Sequence, residues 1–421
     1  MTSTDPARLP LLDVARGAAI LAILFMNIAD MGGSVHGFVG GDPRRFGWSG
    51  ADRAVWWTRE VLVSGAARGM LELLFGAGMA ILFDRATSVG AYVRRNLVLF
   101  GFGVAHVLVL LWPGDILHTY ALAALVAMPF RNLPPRLLVT LGLVLAALQL
   151  AGTGGAVAAN AARAEAQRIE ADLARGRAIS PAERRTLATE RRRDAAAERA
   201  RAELDARIAA EDRARSGDAR SWAAALWSVS AWFLRSGWEL VFVWEAAGTM
   251  LIGVALYRWG VLQGARSSAF YARLMGAGYA VGLPLRLWAA ADRVEPTGAL
   301  SLAAGFGEVA RIAITLGHLG LLALLVARPA MRPLAAAGRV ALSLYILQTL
   351  VCLWAIYPPW GLALYDRQSW AELMGTAALV DAGLLALAVW WTRRFAIGPV
   401  EWAWRSIVAG RVLPIGAGAP R

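Results

Sequence analysis

Lysine is absent from this 421-residue chain, so all 43 of its cations are arginine. Charge as a whole is scarce: 17% of residues, against ~25% in an ordinary soluble domain. That is too little to cover a globular surface in water, which excludes a soluble enzyme, while the 58% hydrophobic content excludes disorder. The single cysteine, Cys352, sits inside an apolar run and excludes an internal disulfide. Four histidines spread along the chain lack metal-ligand spacing, so no metal is expected. Gly76-Ala77-Gly78 has neither the lysine nor the preceding strand of a phosphate-binding loop, and reads as close helix packing. The net charge of +13 does not point to nucleic acid, because the arginines lie between hydrophobic runs instead of in one patch.

What is present is hydrophobic length. Mean hydropathy is +0.50, with 18 tryptophans and 43 glycines, a composition that fits membrane helices with Trp at the water interfaces. The expected fold is all-α, a polytopic bundle of about ten spans: roughly 11–31, 61–83, 96–112, 116–133, 137–158, 238–257, 270–290, 303–327, 339–357 and 373–392. The first run lacks a small-residue cleavage site and reads as a span, not a signal peptide. The tight turn Pro113-Gly114-Asp115 makes a helical hairpin of the third and fourth spans. Residues 222–237, with Trp222, Trp227 and Trp232, read as an interfacial helix. With the N-terminus cytoplasmic, inner segments carry 17 arginines, Arg8 and Arg421 among them, and short outer segments carry six. This bias places both termini inside.

Three parts follow: an N-terminal bundle over 1–158, a charged extramembrane piece over 159–221, and a C-terminal bundle with its tail over 222–421. In 159–220, fifteen arginines and twelve acids are interleaved with alanine, a helix-forming mixture. Gly176 ends one helix, and Ser180-Pro181-Ala182-Glu183 opens another with a capping box. Glu203/Arg207 and Glu211/Arg215 stand in the favourable i,i+4 order. The expectation is an outward-facing helical hairpin, either a lid or docking element or a solvated insertion.

Ionisable groups inside a bilayer cost several kcal/mol unless paired, so each is a candidate site. At about 100° per residue, Asp13, Arg16 and Asn27 fall within about 60° on one stripe of the first span, with Asn27 about 16 Å beyond Arg16. Asp30 and His36 follow at the outer mouth. The eighth span presents Glu308, Arg311, Thr315 and His318 on one face, read either as a bundle staple or as a substrate pathway. The third span opens with Arg94-Arg95 and carries His106 in its outer half, a candidate general base. Asp115 stands beside His118 and either orients a base or caps the next helix.

Several ordered motifs resemble the YeiB-like membrane proteins (domain of unknown function 418). They are the opening Arg8-Leu9-Pro10-Leu11-Leu12-Asp13-Val14-Ala15-Arg16-Gly17 running on to Asn27; Leu74-Phe75-Gly76-Ala77-Gly78; and Arg94-Arg95 through His106 to Gly114-Asp115-Ile116-Leu117 and Tyr120. Gly338-Arg339 with Leu342, Ser343, Tyr345 and Gln348, then Arg393-Arg394-Phe395 and Gly398-Pro399-Val400-Glu401-Trp402-Ala403-Trp404-Arg405, complete the set. That family is similar to the transmembrane acyltransferase superfamily, which includes heparan-glucosaminide N-acetyltransferase. The resemblance implies a bacterial plasma-membrane protein that takes an acyl group from cytoplasmic acyl-CoA to an envelope glycan or lipid acceptor. Arg16, Arg94 and Arg95, with Asp13 beside them, would then hold the CoA phosphates. Asn27 would bind the acyl carbonyl, and His36 or His106, with Asp115, would take the acceptor proton. Two other readings remain: a transporter using the Glu308–Arg311–His318 face, and a non-catalytic scaffold that docks partners through 159–220. Membrane lipid is the one partner common to all three, and the oligomeric state is not written in the sequence.

Overall fold

The structure, a computed structural model, describes residues 9–294 and 301–416; Arg8 and Arg421 lie outside the described residues. From the N-terminus, α1 (Pro10–Gly32) leads to the short α2 (Val35–Gly40) and to α3 (Gly50–Thr58), which runs through a π turn (Arg59–Val63) toward α4 (Ala66–Asp84). A hairpin of α5 (Val89–Leu108) and α6 (Leu117–Ala127) is followed by α7 (Pro135–Ala147) and α8 (Ala151–Ala174). Then come α9 (Pro181–Arg215), α10 (Ala219–Ser236), α11 (Trp238–Arg258) and α12 (Ser268–Val294). The C-terminal part holds α13 (Gly307–Leu325), α14 (Arg332–Arg339), α15 (Ala341–Val351), α16 (Trp370–Thr392) and α17 (Pro399–Ala409). Among the described residues there is no strand. The chain is a multi-pass helical membrane protein.

Ten spans are more than the helices supply. Among the described residues six helical stretches are long and apolar enough to cross a bilayer: Pro10–Gly32, Gly50–Asp84, Pro135–Ala174, Trp238–Arg258, Ala303–Leu325 and Trp370–Thr392. The expected ninth span is a broken pair, Pro329–Arg339 and Ala341–Ile356, bent by 79°, with Val340 at the break. The expected third span fails because its helix starts at Val89 and carries Arg94, Arg95 and Asn96, then stops at Leu108. The fourth is a short apolar helix, Leu117–Phe130. The seventh, α12, carries Arg273, Arg286 and an internal Pro284.

The core follows from small residues at helix crossings. In α1 and α14, a Cβ on Gly17 would stand 1.9 Å from the Leu334 carbonyl oxygen, and one on Gly338 would stand 1.9 Å from that of Asp13. Gly253 of α11 and Gly76 of α4 repeat this, with carbonyl oxygens of Leu73 and Met250 at 2.1 and 2.0 Å. Main chains approach this closely only without side chains between them, the usual means of packing helices where lipid is as apolar as leucine. Leu240 and Leu379, 77% and 78% exposed, turn outward as lipid-facing residues do.

The charged segment is a helical hairpin, but not one standing free. α8 continues from α7 through a short 3-10 turn, so the fifth span and the first hairpin helix form one run, 135–174. Gly176 turns the chain at φ +83°, and Ser180 caps α9 with Glu183 answering, as the sequence predicts. Ile169 packs on Leu187 between the two helices, while Leu173 is exposed. No ion pair joins Glu203 to Arg207, whereas Arg215 meets Glu211 at 3.3 Å.

The far end of α9 is locked into the bundle. Arg215, fully buried, donates to the carbonyls of Asp30 (3.1 Å), Gly33 (2.7 Å) and Met31 (2.6 Å), the unsatisfied acceptors at the end of α1. Glu211 accepts from the amides of Val35 (3.0 Å) and His36 (3.2 Å) and from Ser34 Oγ (2.6 Å), the start of α2. One ion pair thus terminates α1 and opens α2. Asp212 adds bonds from Arg45 (2.7 Å) and the Tyr365 hydroxyl (2.8 Å).

Candidate active site

α5 ends at Leu108, and the turn Pro113-Gly114-Asp115 that leads to α6 brings Asp115 back toward His106. His106 Nδ1 lies 2.7 Å from Asp115 Oδ1, and both residues are buried. Gly103 permits this: a Cβ there would stand 2.3 Å from the His118 amide and 2.6 Å from Asp115 Oδ2. Asp115 serves both purposes open from the sequence. Its Oδ2 accepts from the His118 amide (3.0 Å) at the start of α6 and from His118 Nδ1 (2.7 Å), while Oδ1 takes His106.

The tautomers follow from donor and acceptor chemistry. An ionised carboxylate only accepts, so His106 carries its proton on Nδ1 and presents a lone pair at Nε2. That atom lies 2.9 Å from Thr349 Oγ1 on α15, so the threonine hydroxyl donates to it. His118 faces a carboxylate on each side, because its Nε2 is 3.2 Å from Glu239 Oε2. Glu239 also accepts from the Thr119 hydroxyl at 2.9 Å. The result is one chain of polar groups, Thr349–His106–Asp115–His118–Glu239, joining α15, α5, α6 and α11.

Beside this chain lies a cavity of about 240 Å³. Arg16, Arg95, Glu401 and Arg405 line one part of it, and Tyr345, Ile116 and Tyr120 line another. The Arg95 guanidinium sits over the Trp404 ring, 3.9 Å from its centroid. Arg16 reaches Asp13 (3.3 Å) and the Gly338 carbonyl (3.4 Å). Glu401 is committed elsewhere, accepting from the amides of Leu342 (2.7 Å) and Ser343 (3.2 Å) at the start of α15. Four guanidiniums line the cavity, Arg339 included, and outnumber the carboxylates, which favours an anion. Tyr345 joins cavity and histidine: its ring is edge-on to His106 at 5.0 Å, and its hydroxyl accepts from Ile116 N at 3.2 Å.

The remaining sequence candidates fall elsewhere. Arg94 is exposed and outside the cavity lining, since its side chain leaves the helix about 100° from that of Arg95. Asn27 is half-buried on α1, beyond Ile20 of the cavity wall, and Arg59 ties the adjacent carbonyls of Phe25 and Met26 (3.0 and 2.8 Å). No hydrogen bond joins Asn27 to His36. His36 packs edge-on to Trp232 at 4.9 Å and lines a separate cavity with Leu204 and Arg207 of α9. Burial there pulls His36 below its ordinary pKa, against the opposing charge of Glu211.

The polar face of α13 divides in two. Arg311 is enclosed by Glu308, Glu72 and the Thr249 hydroxyl (2.8 Å), all buried. Thr315 binds back to the carbonyls of Arg311 (2.8 Å) and Ala66 (3.3 Å). His318 stands apart, with Nδ1 2.8 Å from the Tyr279 hydroxyl and Nε2 2.7 Å from the Leu62 carbonyl. Glu308 and Arg311 thus form an ion cluster with Glu72 that continues through Arg68 (3.3 Å) to Glu245 (2.5 Å), and His318 is not part of it.

Residues 256–411 match the family described as Protein of unknown function (DUF418). The chain is also 29% identical to the "Uncharacterized protein YeiB" of Escherichia coli (strain K12) over 416 residues, 94% of this chain and 95% of the relative. The chain belongs to the YeiB-like DUF418 family. A second relative, the "Uncharacterized protein YxaH" of Bacillus subtilis (strain 168), is 36% identical over 152 residues, 33% of this chain and 37% of that one. No solved structure matches. The family match takes in Tyr345, Thr349, Glu401 and Arg405, whereas His106 and Asp115 precede it.

Sequence reasoning missed Thr349, and did not join Glu239 to the histidines. A lone threonine inside Leu344–Val351 gives no signal. The clue available was its place one turn after Tyr345, in a motif already singled out.

Proposed function

We propose that this YeiB-like protein is a membrane acyltransferase. It takes an acyl group from an acyl-CoA thioester and passes it to a hydroxyl or amine of an envelope glycan or lipid. The observation that carries the reading is that one cavity has Arg16, Arg95 and Arg405 at one part of its wall and, at another, Tyr345 packed on the Asp115-oriented His106. The arginines suit the phosphates of the nucleotide, through charge-assisted bonds that neutral donors do not equal. His106 is the general base of the proposal, its Nε2 lone pair presented because Asp115 holds the proton on Nδ1. The mixed lining, with Leu99, Leu342 and Phe75, suits the apolar part of a thioester. In this reading Asn27 and His36 are second-rank candidates, because neither lines the cavity.

The test is CoA release from acyl-CoA by the purified full-length chain, supplied with bacterial envelope lipid or glycan fractions. Wild type should release thiol in a fraction-dependent way, and His106→Ala should lower the rate on the order of a hundredfold or more. Equal rates in wild type and His106→Ala, with both proteins folded, would remove His106 from the chemistry.

A further inference from the structure

We propose that Thr349 carries the acyl group covalently, as a threonine ester formed between the two half-reactions. This rests on the acyltransferase reading above and deepens it.

Asp115 Oδ1, His106 and Thr349 Oγ1 stand in line at 2.7 and 2.9 Å. A carboxylate that fixes the tautomer, an imidazole lone pair and a hydroxyl donating into it form the arrangement that makes a hydroxyl nucleophilic. The plain alternative for a threonine in an apolar helix is to bond the carbonyl one turn back. Other helical threonines here do that: Thr249 to Glu245, Thr315 to Arg311 and Thr392 to Ala388, at 3.1, 2.8 and 2.7 Å. Thr349 spends its hydroxyl on His106 instead. It is fully buried, so its neighbour Tyr345 decides access. Tyr345 lies one turn before Thr349 on α15, walls the cavity and covers the His106 ring, and its hydroxyl is held by two long bonds, 3.2 Å from Ile116 N and 3.4 Å to the Gly114 carbonyl. In the proposal, rotation of that one side chain is what gives a cavity-bound thioester access to His106 and Thr349.

The steps balance. Thr349 Oγ1 attacks the thioester carbonyl carbon and gives its proton to His106 Nε2. The C–S bond breaks, the leaving thiolate takes that proton, and CoA departs as the thiol. The acceptor hydroxyl or amine then passes its proton to His106 and attacks the ester. Thr349 leaves as its oxygen recovers the proton from His106. No oxidant or further reactant is needed, and His118, facing Asp115 and Glu239, holds the orienting carboxylate in place.

The experiment incubates the full-length, detergent-purified chain with radiolabelled acyl-CoA thioesters from acetyl to palmitoyl, quenches in acid and maps the label by peptide mass spectrometry. The expected result is one acyl group on Thr349, resistant to neutral hydroxylamine, which cleaves thioesters and acyl-imidazoles but spares oxygen esters. The label should persist in Thr349→Ser. It should fall at least about a hundredfold in the isosteric Thr349→Val and in His106→Ala. CoA release that is undiminished in Thr349→Val, or label that hydroxylamine removes, overturns the relay and leaves acyl transfer standing. A folded wild-type protein that neither binds nor cleaves any of the thioesters overturns both.

Discussion

Asp115 has both carboxylate oxygens committed, one to each histidine and a further bond to the backbone of α6. Changing it to Asn places an amide N–H₂ toward one of the two imidazoles. If that is His106, the opposite tautomer results and Nε2 becomes a donor. Asp115→Asn should therefore lower CoA release on the order of a hundredfold to ten-thousandfold with the fold retained, measured beside circular dichroism of the same sample. Arg311 makes a different prediction. It neutralises Glu308 inside the bundle and shares Glu72 with Arg68 (3.3 Å), so Arg311→Met leaves the buried Glu308 uncompensated and should cost about 3–5 kcal/mol. A fall in melting temperature without any effect on CoA binding would mark this cluster as structural, whereas unchanged stability would return it to the candidate pathways. Single residues were readable from sequence when their neighbours limited the alternatives. His106 in an apolar run followed by a Pro-Gly-Asp turn was such a case. Arg94 and Arg95 were not, because adjacent arginines on a helix diverge by about 100° and only packing decides which one enters the cavity.

The helices themselves were legible where a capping signal stood before a helix-forming run, as at Ser180-Pro181. The break at Val340 was not, because nothing in Arg339-Val340-Ala341 is a helix breaker and the bend comes from tertiary packing of α14 against α1. Gly253 predicts the cost of disturbing such a crossing. A Cβ would stand 2.1 Å from the Leu73 carbonyl oxygen, so Gly253→Val should separate α4 from α11 and destabilise by about 1–3 kcal/mol, read as earlier melting in a fluorescence-detected gel-filtration series. The hairpin helix α9 gives an element-scale test as well. Arg215→Ala orphans three carbonyls at the end of α1 and should free α9 to protease, with cleavage appearing inside 200–215. His36 adds a pH dependence of known sign. Its native pKa is lowered by burial, so an unfolded His36 takes up a proton before the native one does. Stability contributed there is full above about pH 6.5 and declines as pH falls below it. Proteolysis of α9 should thus quicken on acidification, and His36→Phe should flatten that response.

At the scale of the molecule, composition and hydrophobic run length were enough for the class: little charge and long apolar runs point to a helical membrane bundle. About ten spans were expected and six helical stretches among the described residues have the length and apolarity of one, because α5 and α12 carry arginines and α6 is short. The cavity was not legible at all. Its walls come from α1, α4, α5, α6, α14, α15 and α17, brought together by crossings that no local pattern encodes. Its guanidiniums, however, were all in motifs that the sequence had marked. The central claim is that this cavity receives an acyl-CoA, and calorimetric titration of acyl-CoA into the detergent-purified chain tests it most directly. Saturable binding, weakened tenfold or more in Arg16→Ala and in Arg95→Ala as expected for a lost charge-assisted bond of about 1.5–3 kcal/mol, is the result predicted. No heat of binding to a folded wild-type protein, or binding that both substitutions leave unchanged, would contradict the account.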